Sequence, residues 1–540
     1  MSSSDLKLQG NALFSAKKFK EAGKKYTEAI DAGDEAADPK GLAVLYANRA
    51  ACRMSLKMYL DANNDAKKAT QLDPTYAKAF ARLASSQDTL GDYPDSKESW
   101  QRALDALPKF DLTQAEENQK TQYQAGLTAA AVGLEKMKNT PIVGDQAIIM
   151  QGEGRMPWDL AAAMLPCLRA SLATNAESLC SSAWVIHGAY ENFMLGVNKM
   201  NQLQIDTVAD QIKGMPGAIV DLTNGIMRDS RAIHFTDNEF ISKYNKQMRL
   251  ESGVYKPWEE AGPEMVIREA LARQRDEGWD SVRPSLSLTI RGWIMRAVMD
   301  AGLRQRYDVA VEFFKRALDV LRSLRESWIL VPKIDRGVIF EKTFLFGIQH
   351  LYIEAIMQSY ALNPSVDTLE ELEKESDLLI REVDGALGEP RSQEPVDPGF
   401  VSSFYTYPRA LAYAMKGLCY NKKAALITTN TRELHRKAAL AYIKAADSFP
   451  QDDEKHPWFL NVALQNMIQA RSFPLRETLD IMKRIRVTTP TAKAIWERSS
   501  LSMSGLWQIL EGVGSQEKEL RSMVAEGKFT MDSFVGAEGL

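Results

Sequence analysis

The sequence predicts an all-α protein, and three observations support this fold class. The N-terminal part contains a repeat with a period of 34 residues, and apolar residues at helical spacing recur through most of the remaining chain. Strand signals are weak, since the short apolar run at residues 217–222 is equally consistent with the start of a buried helix. We therefore expect stacked helix pairs at the N-terminus, followed by a larger helical region.

The repeat consists of small, aromatic and proline residues at matching positions. Ala50, Ala69 and Pro74 each have a counterpart 34 residues later, at Ala84, Ala103 and Pro108. A unit with a longer internal loop aligns 40 residues earlier, on Gly10, Ala22, Tyr26 and Ala29. Small residues allow two helices to approach closely, and each proline ends a helix because it lacks a backbone N–H. The period and pattern resemble the tetratricopeptide repeat (TPR), of which at least three units are needed to bury a core.

A seventh helix is predicted to close this domain. Residues 113–116 read Thr-Gln-Ala-Glu, which is a capping-box pattern at a helix start. An apolar stripe follows at Tyr123, Leu127, Ala130, Leu134 and Met137, and the pattern stops near residues 139–141. We therefore predict an N-terminal domain over residues 4–139, made of three repeats and a capping helix.

Polar residues on the first helix of each repeat are the candidate binding residues. Lys7 and Asn11 lie four residues apart in the first unit, Asn48 lies in the second, and Lys78 and Arg82 lie four apart in the third. Two cations one helical turn apart repel each other slightly, which favours an anionic partner between them. Together the five residues resemble the two-carboxylate clamp of co-chaperone TPR domains in residue type and repeat position.

The resemblance implies a specific ligand, the free C-terminus of cytosolic 70-kDa and 90-kDa heat-shock chaperones, which ends Glu-Glu-Val-Asp. By position, Lys7, Asn11 and Asn48 would hold the terminal α-carboxylate. Lys78 and Arg82 would hold the side-chain carboxylate of the last aspartate. The function expected from this resemblance is that of a co-chaperone or adaptor that presents its C-terminal helical region to a client or partner protein.

The remaining chain is expected to be helical, with two irregular connections. Its predicted segments are a linker at 140–158, a helical and possibly TPR-like domain at 159–387, a Pro-rich connector at 388–407, a TPR-like block at 408–511 and a C-terminal tail at 512–540. In the block, Gly417 matches a repeat's first helix, and Ala438, Tyr442 and Ala445 match its second. The alternative is an unrelated helical bundle that uses the same small-residue packing.

Composition excludes several other classes of function. The 67 basic and 71 acidic residues give a net charge of −4, which argues against nucleic-acid binding. No segment has the length and apolarity of a membrane span or a signal peptide, so a cytoplasmic protein is expected. Cys52, Cys167, Cys180 and Cys419 are scattered, which favours buried thiols over disulfides or a metal site.

No catalytic motif, metal-ligand spacing or cofactor-binding pattern is present, and the histidines are dispersed. We therefore expect no catalytic residues, no metal and no cofactor. Two alternatives stay open at this stage. The first is an enzyme with an unrecognised site in residues 140–540 that the clamp recruits to chaperones. The second is a scaffold that binds other acidic C-termini.

Overall fold

The structure is a computed structural model, and it confirms the all-α prediction. It describes residues 2–33, 37–139, 154–172, 179–206, 211–235, 237–389, 397–426 and 430–534, without the side chains of 137–139. Among these residues, the strands are Gln204–Asp206 and Gln211–Lys213, which form one antiparallel ribbon with Ile205 opposite Ile212. Nearly all other ordered structure is helical.

The chain divides into two compact units. The first comprises Met1–Ala147, Pro257–Gly278 and Arg296–Val320, and the second comprises Ile148–Lys256, Trp279–Met295 and Leu321–Leu540. The helices α1 to α7, which precede residue 140, are Ser3–Ser15, Phe19–Asp31, Pro39–Ser55, Tyr59–Leu72, Ala77–Leu90, Tyr93–Asp105 and Gln114–Asn139.

Helices α1 to α6 form three pairs, and each helix packs against the next one along the chain. The small residues of the repeat lie in these contacts, since Ala22, Ala62, Ala69 and Ala103 are completely buried. Gly10 shows why small residues are needed, because a Cβ atom there would lie 2.7 Å from the ring of Tyr26. The close approach of α1 and α2 therefore depends on the glycine.

Helix α7 covers the last pair. Its first turn has the predicted capping box, in which the backbone N–H of Thr113 donates to Glu116 at 2.8 Å and the backbone N–H of Glu116 donates to the Thr113 hydroxyl at 3.3 Å. Tyr123 and Ala130 are buried in one cluster with Trp100, and Leu127 packs against it. Leu134 is half-buried, and the side chain of Met137 lies outside the described residues.

The first unit also contains residues far beyond residue 139. Asp61 of α4 is buried and pairs with Arg316 at 3.0 Å, which in turn pairs with Glu312 and donates to the carbonyl of Ala261 at 3.2 Å. The hydroxyl of Tyr59 donates to the Asp308 carboxylate at 3.3 Å. Segments 257–278 and 296–320 therefore complete the packing of α4 within the first unit. The domain boundary at residue 139 remains a prediction.

Helices α8 to α15 are Pro157–Ser171, Ser182–Asn201, Ala218–Arg228, Phe240–Tyr255, Pro263–Glu277, Trp279–Arg304, Tyr307–Ser327 and Lys333–Arg336. Helices α16 to α24 are Lys342–Leu362, Val366–Leu387, Pro398–Val401, Tyr407–Leu426, Thr431–Ser448, Lys455–Ala470, Leu475–Trp496, Ser500–Met503 and Leu506–Ala525. Short 3-10 or π turns occur at Ser230–Ala232, Val338–Phe340 and Ser402–Thr406. The run at 217–222 forms the start of α10, not a strand.

In the second unit, the long helices from α16 onward stack in chain order, as in a helical solenoid. The pair α19 and α20 repeats a contact of the first unit, because a Cβ atom on Gly417 would lie 2.8 Å from the ring of Tyr442. Ala438 and Ala445 are completely buried beside it. The predicted match of these residues to a repeat therefore corresponds to real close packing between two helices.

The predicted linker at 140–158 falls largely outside the described residues, which omit 140–153, and its last two residues begin α8. Of the Pro-rich connector predicted at 388–407, residues 390–396 lie outside the described residues, whereas residues 398–407 form α18, the turn at Ser402–Thr406 and the start of α19. The segment predicted as a C-terminal tail begins inside α24, which continues to Ala525 and buries Val513 and Leu520. These two apolar side chains give the first half of that segment a packed face.

Candidate peptide-binding site

The five candidate residues lie on α1, α3 and α5, the first helix of each N-terminal pair. Lys7 and Asn11 are one turn apart on α1, and Lys78 and Arg82 are one turn apart on α5. Asn48 lies on α3, the helix between them in chain order. Because residues four apart share a helix face, Lys7 lies on the same face of α1 as Asn11, and Lys78 lies on the same face of α5 as Arg82.

A chain of hydrogen bonds connects three of these residues across the three helices. The Nη1 atom of Arg82 donates to Oδ1 of Asn48 at 3.1 Å. The Nδ2 atom of Asn48 donates to Oδ1 of Asn11 at 3.3 Å, and the hydroxyl of Tyr26 donates to the same oxygen at 2.8 Å. The fold therefore brings Asn11, Asn48 and Arg82 together, as the repeat alignment requires.

The three cations of the set have no carboxylate partner in the described part of the chain. No Asp or Glu oxygen there lies within 4.0 Å of Lys7, Lys78 or Arg82. Lys78 is exposed, whereas Lys7 and Arg82 are partly buried. Burial lowers the pKa of Arg82, although the nearby phenols of Tyr76 and Tyr26 oppose this shift. A guanidinium that has lost much of its water without gaining a carboxylate is prepared to bind an external anion.

The arrangement offers several donors to one small ligand. Lysine and arginine supply charged N–H groups, and asparagine supplies amide N–H groups, all of which suit carboxylate oxygens. In the described structure, the Nδ2 group of Asn11 has no hydrogen-bond acceptor, so it remains available for a ligand. The site can therefore hold an anion with two or more oxygens by charge-assisted hydrogen bonds.

Two tyrosines contribute to this site in a way that the repeat pattern does not predict. Tyr26 aligns with an aromatic position of the repeat, yet its hydroxyl also contacts Asn11, a candidate ligand-binding residue. Tyr123 belongs to the predicted apolar stripe of α7, but its phenol also interacts electrostatically with Arg82, whose charge opposes the rise in the pKa of Tyr123 that burial causes. An aromatic at a packing position is consistent with either phenylalanine or tyrosine, so the spacing carries no signal for the hydroxyl.

The other reactive residue types do not converge among the described residues. No group of three His, Cys, Asp or Glu side chains there could hold a metal ion. Cys52 and Cys419 are buried, but Cys167 and Cys180 are exposed, so the prediction of buried thiols was wrong for these two. Cys167 lies on α8, and Cys180 lies between α8 and α9.

Two surface cavities occur in the second unit, with volumes of about 540 and 520 Å³. Asn430, Glu433 and Arg471 line the first, and Arg283, Lys333 and Ile339 line the second. Neither His nor Cys is present among the described lining residues. This geometry offers no support for the alternative of an enzyme in residues 140–540. None of the described helices has both the length and the apolarity needed to cross a bilayer.

Comparison with known proteins confirms the resemblance to TPR co-chaperones. The chain is 35% identical over 105 residues to heat shock protein STI1 of Saccharomyces cerevisiae, covering 19% of this chain and 17% of that protein. It is 32% identical over 150 residues to small glutamine-rich tetratricopeptide repeat-containing protein 2 of the same yeast, covering 28% of this chain and 40% of that protein.

Among solved structures, the first TPR of Spaghetti (RPAP3) bound to HSP90 peptide SRMEEVD is 27% identical. The alignment covers 24% of this chain and 94% of the solved structure, with a TM-score of 0.20. The chain spans less than half the length of the two curated relatives, and no family model matches it.

Proposed function

We propose that this protein is a co-chaperone or adaptor that binds the C-terminal Glu-Glu-Val-Asp tail of a cytosolic 70-kDa or 90-kDa heat-shock chaperone. The observation that carries the proposal is the set of three cations without a carboxylate partner in the described structure, joined to the chain of hydrogen bonds from Arg82 to Asn11. The similarity to TPR co-chaperones over part of the chain supports the same function.

In the proposed complex, the last residue of the tail supplies both carboxylates. Lys7, Asn11 and Asn48 hold the α-carboxylate, because together they offer one charge and two amide groups. Lys78 and Arg82 hold the aspartate side chain, and the anion relieves the repulsion between these two cations. Arg82 also gains a carboxylate partner, which its partly buried guanidinium lacks among the described residues.

The second unit then has a different task from tail binding. All five proposed contact residues lie on α1, α3 and α5, so the stacked helices from α16 onward are free to contact another protein. We propose that they present a client or partner protein to the chaperone in the cytoplasm.

Calorimetry with a peptide that ends Glu-Glu-Val-Asp tests the proposal. A free C-terminus should give micromolar affinity, equivalent to about −8 kcal/mol. Amidation of the C-terminus removes the α-carboxylate, so we expect a large loss of affinity. Binding should also weaken as salt is raised, because the contacts are ionic and partly solvated. Equal binding of the amidated peptide would disprove the clamp.

A further inference from the structure

The chain of hydrogen bonds at the site has a direction that Arg82 imposes. A guanidinium carries only donors, so the atom of Asn48 that faces Arg82 must be its carbonyl oxygen. The amide nitrogen of Asn48 therefore faces Asn11, and the side-chain carbonyl oxygen of Asn11 accepts its hydrogen bond. This order leaves the Nδ2 group of Asn11 as the part of the amide that points away from the chain of bonds.

Tyr26 adds a second donor at the end of this chain. Its hydroxyl lies 2.8 Å from Oδ1 of Asn11, the same oxygen that accepts from Asn48. The ring is only 2% exposed and reaches this position across Gly10, where a Cβ atom would lie 2.7 Å from it. A phenol is protonated near neutral pH and can donate, and burial favours this form further by raising the pKa of Tyr26 to about 12.

From this geometry we infer that Tyr26 is a positioning residue that orients the Asn11 amide for binding a carboxylate. Two donors on Oδ1 hold the amide so that Nδ2 is presented to the ligand. Without the Tyr26 hydroxyl, the 3.3 Å hydrogen bond from Asn48 is the one that still opposes rotation of the amide among the described residues. A rotated amide would present its oxygen to the incoming carboxylate and repel it. The inference rests on the proposed function, because it assigns a role within the same site.

The test is a Tyr26→Phe variant of the full chain, which removes the hydroxyl and keeps the buried ring. We expect affinity for the free-acid peptide ending Glu-Glu-Val-Asp to fall roughly three- to tenfold, as for loss of one neutral hydrogen bond. The amidated peptide cannot use the oriented amide in this way, so its affinity should change less than about twofold. The ratio of the dissociation constant of the amidated peptide to that of the free-acid peptide should therefore decrease.

Tyr59→Phe is the matched control. Tyr59 is also a buried tyrosine of the first unit whose hydroxyl donates to a side-chain oxygen, that of Asp308, but it lies on α4 outside the chain of bonds. Removing the Tyr59 hydroxyl should leave the ratio of the dissociation constants of the amidated and free-acid peptides unchanged. In an Asn11→Ala background, Tyr26→Phe should have an effect below about twofold, because the group it orients is gone.

The outcomes separate the inference from the proposed function. If the Arg82→Ala variant loses affinity for the free-acid peptide but the Tyr26→Phe variant binds it with wild-type affinity, the inference is overturned and the proposed function stands. If Tyr26→Phe weakens both peptides equally, or acts undiminished in the Asn11→Ala background, the hydroxyl has only a structural role and the inference is again overturned. If Arg82→Ala itself binds normally, the proposed function fails.

Discussion

Arg82 in the first unit and Arg231 in the second are both arginines withdrawn from water, but their surroundings differ. Arg231 Nη2 lies 2.7 Å from Asp229 and 2.8 Å from Asp453, and its Nη1 lies 3.1 Å from Glu454. Burial alone would lower the pKa of Arg231, but the adjacent carboxylates outweigh it and raise the pKa well above its ordinary value. Arg82 has no such carboxylate in the described structure, and burial lowers its pKa.

The difference separates a structural cation from a binding cation. The charge of Arg231 is satisfied within its own unit, so it is committed to holding its elements together. Among the described residues, the guanidinium of Arg82 donates to a neutral oxygen, Oδ1 of Asn48, and pairs with no carboxylate. An external carboxylate can therefore improve the surroundings of Arg82, whereas it would have to displace three carboxylates to reach Arg231.

Replacing Arg231 with methionine should have the largest effect on stability. The variant leaves the buried carboxylates of Asp229, Asp453 and Glu454 without the guanidinium that pairs with them, and breaking such a pair costs about 3–5 kcal/mol of unfolding free energy. Urea denaturation, followed by a probe of the second unit, measures this loss. Arg436→Met is the control, because Arg436 is exposed and lies 3.9 Å from Glu433, and we expect a change within about 0.5 kcal/mol. An unchanged unfolding free energy for Arg231→Met would show that the carboxylates tolerate its removal.

Replacing Arg82 with alanine should instead affect binding. We expect a loss of about 1.5–3 kcal/mol in the binding free energy of the chaperone-tail peptide, the typical contribution of a charge-assisted hydrogen bond. Lys78→Ala should cost a similar amount, and the double variant should lose less than the sum, because both residues contact one carboxylate. Calorimetry measures all three, and circular dichroism verifies that each variant is folded.

Arg102→Ala is the control for these variants, because Arg102 lies on α6, is exposed, and pairs with Glu98 at 2.6 Å. It should bind the peptide with wild-type affinity. A folded double variant of Lys78 and Arg82 that also binds normally would remove the distinction between the binding cation and the structural one.

Truncation after residue 140 should have the smallest effect on binding. The fragment keeps all five candidate residues and Tyr26 but loses Arg316, the partner of Asp61. We expect it to fold, to melt cooperatively at a lower temperature than the first unit of the full chain, and to bind the peptide within about threefold of full-length affinity. Thermal melts and calorimetry check both points.

A shorter fragment that ends near residue 110 serves as the control for truncation. It lacks α7 and exposes the apolar cluster around Trp100, so it should be poorly soluble or partly unfolded. If the 1–140 fragment binds the peptide tenfold more weakly than the full chain, the later helices complete the peptide-binding site. The domain boundary at residue 139 would then have to move.

Much of the candidate site could be predicted because its determinants are local and periodic. A 34-residue repeat aligns α1, α3 and α5, and spacing of four residues pairs Lys7 with Asn11 and Lys78 with Arg82. Helix propensity, caps and small-residue packing act between neighbours in the chain, so the all-α class and the capping box at Thr113 were also predictable. The proposed contact roles of the five residues remain predictions.

Other features depend on contacts that no local pattern encodes. Asp61 meets Arg316 across 255 positions, and Arg231 meets Asp453 across 222. Such pairs form only after distant helices have packed, and a single charged residue in a sequence does not reveal which opposite charge it will meet. The hydroxyl of Tyr26 is a smaller example, because a repeat requires a large ring at that position but does not specify a polar atom on it. Periodic, short-range spacing can therefore be predicted from the residues alone. The folded chain decides which charges are paired within the protein and which are left for a ligand.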